Sequence, residues 1–529
     1  MSLHANGYTF KKHELPMVSG SPATPEHMPK RKLMYFLIAL FLTFVAGLQN
    51  GLLLATLPQL RGDMGLTIEQ GGWIQVAYFM GYGTFGALLF KVRQHFGLHK
   101  FIRWTLWIVL LSNILQVISQ DYFVVLFARL MLGVGTSGFF TLAVFYGMQA
   151  VAGAARIIVI ALLLGLMQIV PTLSQLMYPL IFLDSDMQAL FIFQLSTTLL
   201  GIGLIRWLPL PPSYTQNSLT WVDYLSFAMF AFGTSLFYAF LTQGNLVWWT
   251  TSWLGWLVAG SFGLIALMFW IETHRQAPMI YWHWLSGKQV AMFLFVAMLT
   301  RLFSTEQTVG ANTILSLFGL SASELTTYNL IIWIASLAGL VMSIVTLKLT
   351  EIRRSAMLAL FGLAIGAYLN IGVSQQTRAE QFYVSQAIIA FSSFYFAGPV
   401  FIEGFIRAIA TGTQHLTSFL AIYASTQVMG ALLGTALFNS YITIQSKVHL
   451  QNLSQHITAI NPAIPQQAVG NLIKNANIEA TLLAYNDLFE LIFLACGGFA
   501  LIAFLIWIYR KANGTDILAK EMKALKAMM

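Results

Sequence analysis

Continuous apolar runs of about twenty residues recur along the whole 529-residue chain. A helix of about that length crosses the hydrocarbon core of a bilayer. Strands of a membrane barrel would instead alternate apolar and polar residues over about ten positions, and the sequence has no such pattern. Charged residues make up only 9% of the chain and hydrophobic residues 57%. The runs therefore predict an all-α polytopic membrane protein.

Fourteen runs predict 14 transmembrane helices, and an even number places both termini on one side of the membrane. A Pro-rich segment, "LPLPPSYTQNSLT" (208–220), follows the sixth run, and a polar segment (273–288) follows the eighth. The predicted spans lie near residues 33–56, 73–91, 101–120, 122–145, 157–182, 188–207, 221–242, 251–273, 289–309, 326–348, 356–374, 383–406, 417–443 and 486–509.

This layout predicts six helices, two inserted helices and six more helices (6 + 2 + 6). Internal repeats of this kind are typical of secondary transporters, whose substrate site lies between the repeats near the middle of the membrane. Short amphipathic helices are expected in the outer loop. The predicted parts are a cytoplasmic N-terminal tail (1–32), an N-terminal six-helix bundle (33–207), a linker with two inserted helices (208–288), a C-terminal six-helix bundle (289–509) that includes an outer loop (445–485), and a cytoplasmic C-terminal tail (510–529).

The net charge of +9 follows the predicted topology. Most Lys and Arg residues lie in the two tails and in the loops on the same side, and an excess of this kind marks the cytoplasmic side. The basic balance therefore indicates orientation and not nucleic-acid binding. The sequence contains no Walker motif and no metal-ligand spacing, so we expect no cofactor, no metal and no enzymatic activity. Cys496 is the only cysteine and is expected to be a packing residue.

Two ionisable residues in the ninth span need an explanation, because charges inside a membrane are costly unless they are paired or hydrated. Arg301 and Glu306 are five residues apart, which turns a helix by about 140°, so they do not lie above one another. One interpretation is structural: an ion pair with another span, or Glu306 at the outer interface. The other is a carboxylate that exchanges a proton in a hydrated cavity, with Arg301 tuning it or binding an anionic substrate.

Arg129 in the fourth span has no acidic residue three or four positions away, so its acceptors are expected elsewhere, for instance at Gln49 and Asn50. It is either structural or part of proton coupling. In the fifth span, three polar residues fall on one helix face and predict a cavity wall or a helix contact. The candidate substrate-binding residues are Gln49, Asn50, Gln168, Thr172, Gln175 and Gln307.

Several segments, in order, resemble the fourteen-span drug:proton antiporter family (EmrB/QacA-like) of the major facilitator superfamily. They are "LLATLPQLRGDMGLTIEQGGWIQVAY" (53–78), "RLMLGVGTSG" (129–138), "LTQGNLVWWTTS" (241–252), "QVMGALLGTAL" (427–437) and "EATLLAYNDLFEL" (479–491). The resemblance covers nearly the whole chain and implies a major facilitator fold. It also implies a gating loop after the second span, with Lys91, Arg93, Gly97 and Lys100 as its residues.

The chain departs from the family at positions used for coupling and gating. Gln49 stands where the family has an aspartate, "VPTLSQLMYP" (170–179) replaces the Gly-rich antiporter motif, and Gln427 replaces an arginine. With no carboxylate in the first span, Glu306 is the best remaining candidate for proton coupling, together with Arg301 and Arg129.

The resemblance implies a proton-driven exporter of amphipathic organic compounds (a multidrug-efflux antiporter) that works by alternating access in a bacterial inner membrane. It also implies a possible periplasmic adaptor and outer-membrane channel, although the outer loop could equally cap the exit. The altered motifs leave open an uncoupled facilitator or uptake carrier for an anionic or neutral organic solute. A scaffold or sensor is a third class, which the buried polar residues disfavour.

Overall fold

The computed structural model describes residues 4–5, 8–10, 14–16, 19–153, 155–182, 187–216, 219–412, 414–456, 466–513, 518 and 521. A short antiparallel pair, β1 (His4–Ala5) and β2 (Tyr8–Thr9), comes first, and helices follow. They are α1 (Pro29–Asp63), α2 (Ile68–Phe96), α3 (Leu98–Ile118), α4 (Tyr122–Ala150), α5 (Ala155–Ile181), α6 (Met187–Trp207), α7 (Trp221–Val247), α8 (Ser252–Thr273), α9 (Trp282–Leu285), α10 (Lys288–Ser304), α11 (Asn312–Leu317), α12 (Thr326–Val345), α13 (Arg354–Leu369), α14 (Phe382–Thr411), α15 (His415–His456) and α16 (Gln466–Ala512).

Each of the fourteen predicted spans coincides with a helix. In the described part of the chain, twelve helical segments are long and apolar enough to cross a membrane. Helix α2 is not among them because Gly, Tyr and Gln residues dilute its apolar character, and α13 is apolar but has only 16 residues. A multi-pass membrane protein is therefore supported, whereas the number of fourteen spans stays a prediction.

The chain divides into two compact units, each with a hydrophobic core of its own. Unit one comprises Met1–Phe295, Ala397–Met429 and Ile517–Met529, and unit two comprises Val296–Phe396 and Gly430–Asp516. The core of unit one lies among α1 to α6. The core of unit two contains Cys496, which is fully buried and packs as expected. The predicted division into two six-helix bundles and two inserted helices stays a prediction.

The predicted outer loop (445–485) is largely helical. Helix α15 has 42 residues and α16 has 47, and residues 457–465 between them lie outside the described part. At about 1.5 Å per residue both helices are about 60 Å long or more, twice the thickness of the hydrocarbon core. In the extended part of α15, His449 Nε2 lies 2.7 Å from Asp487 Oδ2, at the start of the last predicted span in α16. The expected short amphipathic helices are thus replaced by continuations of two long helices.

The end of the N-terminal tail packs against unit one. We call residues 19–28 the N-terminal strap. Its Gly20 and Ala23 amides donate to the carbonyls of Tyr214 and Pro212 at 3.0 and 2.9 Å. Gln149 at the end of α4 donates to the Ala23 carbonyl at 2.9 Å, and its side-chain oxygen lies 3.0 Å from His27 Nε2. The strap and the 208–216 segment therefore lie together over one end of unit one.

Candidate functional site

Arg129 lies at the centre of a buried polar network in unit one. Its side chain is fully buried. One terminal nitrogen donates to the Gln49 carbonyl at 2.9 Å and to Gln116 Oε1 at 3.4 Å, and the other donates to Asn50 Oδ1 at 3.0 Å. The guanidinium lies 5.0 Å from the centre of the Tyr78 ring. The expected acceptors on α1 are present, and Gln116 and Tyr78 add two partners that the sequence did not reveal.

The network extends from α1 to α6. Gln49 donates to Thr198 Oγ1 at 2.9 Å, Gln194 donates to the Leu48 carbonyl at 3.1 Å, and Asn113 bonds to Thr198 at 3.4 Å. The hydrogen-bond acceptors of Arg129 are all neutral, so within the described residues its positive charge has no carboxylate beside it. A buried cation held only by dipoles favours a nearby negative charge, such as an anionic group of a substrate.

The polar stripe of α5 lies beside the surface that packs against α1. Gly47 and Gly51 of α1 let α5 approach closely, because an added Cβ at Gly51 would lie 3.0 Å from Pro171 Cα. Gln168, Thr172 and Gln175 are half-buried. Viewed down the axis of α5, the three side chains fall within about 60° of one another, and they lie about 120° around the helix from the residues that pack on α1. The polar stripe is therefore not the surface through which α5 packs on α1, and its three side chains are partly accessible.

The predicted gating loop is almost entirely helical. Helix α2 continues to Phe96, and Gly97, with φ of 85°, is the only residue between α2 and α3. An added Cβ at Gly97 would lie 2.9 Å from the Thr215 side chain. Arg93 is buried, with its guanidinium 5.0 Å from the Phe90 ring and 4.5 Å from the Phe145 ring. Lys100 is exposed.

Lys91 belongs to a cluster of charges that connects α2 to the inserted helices. Its Nζ lies 2.7 Å from Asp223 Oδ1, and Arg275 bonds to the same oxygen at 3.0 Å. Arg275 also bonds to Glu272 at 2.7 Å. Asp223 and Glu272 are fully buried or nearly so. These ion pairs fit a structural role for both acids.

Glu306 is the centre of a second polar site, in unit two. Its side chain is 1% exposed. Asn370 Nδ2 donates to Oε1 at 2.9 Å, and Gln386 Nε2 donates to Oε1 and Oε2 at 3.2 and 3.4 Å. Both amide oxygens and the Tyr328 hydroxyl are buried without a hydrogen-bond partner among the described atoms. Neutral amides can accept as well as donate, so this site can hold the carboxylate in either protonation state.

The helix around Glu306 is irregular. Helix α10 ends at Ser304, and a π-helical segment, Gln307–Ala311, precedes α11. Such π-turns are rare and frequently occur at functional sites. Gly430 and Gly434, one turn apart on α15, allow close packing on α10: an added Cβ at Gly430 would lie 2.8 Å from the Met298 carbonyl. Small residues at this spacing bring membrane helices close together.

Arg301 and Gln307 are both half-buried, but only Gln307 lies beside the Glu306 site. Gln307 Nε2 is 3.5 Å from the Gln386 carbonyl. Arg301 packs against α15, where an added Cβ on Gly430 would lie 3.1 Å from its Cβ. The hydrogen bonds to Glu306 among the described residues come from Asn370 and Gln386.

No group of three or more His, Cys, Asp or Glu side chains that could hold a metal ion occurs among the described residues. Asn370 and Gln386 were missed by the sequence analysis. A single amide in an apolar span carries no charge and forms no motif, so only its position in space links it to Glu306.

The chain shares its fold with solved membrane transporters. PepTSo2 has 13% identity to it and a TM-score of 0.57, and the match covers 91% of this chain and 99% of that protein. A structure described in terms of substrate recognition in proton-dependent oligopeptide transporters matches with a TM-score of 0.55 and 13% identity, covering 91% and 99% of the two chains.

The human organic anion transporter MFSD10 (TETRAN) has a TM-score of 0.52 and 13% identity, with coverage of 89% and 100%. No family model and no curated protein matches the chain. At these identities the likeness concerns the fold alone, so the cargo and the coupling of this chain are argued from its own residues.

Proposed function

We propose that the chain is a proton-driven secondary exporter of amphipathic organic compounds that works by alternating access. The observation that carries this proposal is the buried Glu306 carboxylate, held by two neutral amides at a π-helical turn. A structural carboxylate at this depth would be expected to have a cation as its partner. The partners of Glu306 are instead neutral amides whose oxygens have no other hydrogen-bond partner among the described atoms. This environment supports a carboxylate that exchanges its proton during the transport cycle.

Substrate contacts are proposed for the polar stripe of α5, since Gln168, Thr172 and Gln175 are partly accessible. Gln307 is the corresponding candidate beside Glu306. Gln49 and Asn50 bond to Arg129 and Thr198, so their part in substrate binding would require these bonds to rearrange. The uncompensated charge of Arg129 favours neutral or anionic compounds over cations.

An uncoupled facilitator or uptake carrier for an anionic or neutral solute is the second candidate. Two observations favour it: Gln49 stands where the antiporter family has an aspartate, and no carboxylate of the described residues lies beside Arg129. In this case Glu306 would be a structural residue, and an imposed pH gradient would not drive transport.

The chain is proposed to lie in a bacterial inner membrane with both termini in the cytoplasm. The extensions of α15 and α16 would then project from the outer side. A periplasmic adaptor and an outer-membrane channel are the proposed partners, and the length of these two helices supports a docking role. Chemical labelling of cysteines introduced at Lys474 and Lys100, from either side of the membrane, tests this orientation.

Proton movement in inside-out vesicles tests the function. A pH gradient is imposed, and amphipathic anions, neutral compounds and cations are added in turn. An antiporter predicts that at least one class dissipates the gradient in vesicles with the protein but not in vesicles without it. If labelled compound crosses while the gradient is unchanged, the chain is a facilitator.

A further inference from the structure

A cavity of about 550 Å³ opens in unit one where α10 begins and α14 ends. It is separate from the residues around Arg129. Its walls include Trp284, Lys288, Arg407 and His415, together with Glu521 from the C-terminal tail. We call it the Trp284 pocket. In the predicted topology it lies at the cytoplasmic interface of the membrane.

Arg407 provides a buried positive charge at the base of the pocket. The residue is 3% exposed. Its Nε and one terminal nitrogen both bond to Glu403 Oε1 at 3.1 Å, which uses one edge of the guanidinium. The other terminal nitrogen bonds to Gln289 Oε1 and to Glu521 Oε1. This second edge is therefore directed towards an acceptor inside the pocket.

Aromatic rings also line the pocket. The Trp284 indole stacks on the His415 imidazole, with ring centres 5.2 Å apart and an angle of 8°. Tyr281 meets the same imidazole edge-on at 5.1 Å. Tryptophan and tyrosine are enriched at the headgroup level of membranes because they are apolar with a polar tip. Lys288 adds an exposed second cation at the mouth of the pocket.

Glu521 shows what kind of group the pocket accepts. Its carboxylate comes from a segment beyond the last helix and bonds to Arg407, so the chain's own tail supplies an anion. The Glu521 side chain is 16% exposed, so an external anion that enters the pocket can compete for the same nitrogen of Arg407. Arginine binds phosphate oxygens well, and basic pockets at the cytoplasmic ends of membrane helices bind anionic headgroups.

We propose that the Trp284 pocket binds the phosphate of an anionic phospholipid headgroup, and that Glu521 competes with it for Arg407. Lys288 neutralises the phosphate and Arg407, which stays paired with Glu403, donates a hydrogen bond to it, while Trp284 and Tyr281 hold the headgroup at the interface. Free phosphate has the same chemistry, so the test separates the two sources.

Native mass spectrometry of the purified full-length protein tests the proposal, with phosphatidylglycerol compared against phosphatidylcholine. Phosphatidylglycerol should bind more tightly. Lys288→Gln should weaken it about fivefold, since a cation near the surface contributes about 1 kcal/mol. Glu521→Gln should strengthen it by at least about threefold, because the competing charge is removed. The matched control is Arg103→Gln, which removes an exposed cation on α3 and should leave phosphatidylglycerol binding unchanged.

Opposite effects of the two variants exclude damage to the fold as their common cause. Equal binding of both lipids, or a Glu521→Gln variant that binds no tighter than wild type, would overturn the proposal. So would equal losses in Lys288→Gln and Arg103→Gln. If inorganic phosphate alone displaces phosphatidylglycerol at equal concentration, the assignment to a lipid is wrong and the site is one for soluble phosphate.

Discussion

Replacing Gly434 by alanine places a methyl group where α15 packs on α10, directly below the Glu306 turn. The added Cβ would lie 2.5 Å from the Leu302 carbonyl and closer still to the Thr305 hydroxyl. Ordinary contacts of this kind are about 3.3 Å or longer, so the helices must separate by about 0.8 Å. Overpacking of this size costs about 2 kcal/mol of unfolding free energy, or about thirtyfold in the folding equilibrium.

The unfolding free energy is measured by titration with denaturing detergent in mixed micelles. Gly498→Ala on α16 is the matched control, because its added Cβ meets nothing within 4 Å, and it should stabilise by about 0.5 kcal/mol. The double variant Gly434→Ala/Thr305→Ala should recover part of the unfolding free energy that Gly434→Ala loses, since one of the two clashing oxygen atoms is gone. Equal effects of Gly434→Ala and Gly498→Ala would refute the close packing argued here.

Three further predictions concern unit one. Asp223→Asn removes the shared partner of Lys91 and Arg275 and should lower the unfolding free energy by about 3 kcal/mol, measured by the same titration. Arg129→Lys keeps the charge but loses the planar guanidinium that donates to several acceptors at once. It should lower the unfolding free energy by about 2 kcal/mol and slow transport in vesicles, and a wild-type stability with a wild-type transport rate would contradict the role of the Arg129 network. Burial lowers the pKa of His27 from its ordinary 6.5, so the folded strap binds this proton less tightly than the unfolded strap does. The stability that neutral His27 provides is present above pH 6.5 and is lost as the pH falls below it. Amide hydrogen exchange of the strap should therefore accelerate at low pH, and exchange that follows only the intrinsic pH dependence would contradict this prediction.

The membrane helices were predictable because burial in lipid demands long apolar runs. Helix ends were harder to predict. The parts of α15 and α16 beyond the predicted spans are polar, and hydropathy identifies only the apolar segment of each helix. The acceptors of Arg129 were predictable in part: Asn50 and Gln49 are polar residues on a neighbouring span, and a buried guanidinium requires acceptors.

The immediate environment of Glu306 was not predictable. Asn370 and Gln386 are distant from Glu306 in sequence, and nothing in an apolar span marks a single amide as a partner of one carboxylate. The N-terminal strap was missed for a related reason. Gly20 and Ala23 are held through their backbone amides, and backbone hydrogen bonds leave no pattern of side chains in the sequence.

The central claim is that Glu306 couples transport to protons, and reconstituted vesicles test it most directly. Purified wild type, Glu306→Gln and the exposed control Glu490→Gln are compared for gradient-driven accumulation of a substrate and for its exchange at equilibrium. We expect Glu306→Gln to exchange substrate at a rate near that of wild type but to accumulate none against a gradient, with Glu490→Gln unchanged. Accumulation by Glu306→Gln at the wild-type level would contradict the claim and make the carboxylate structural.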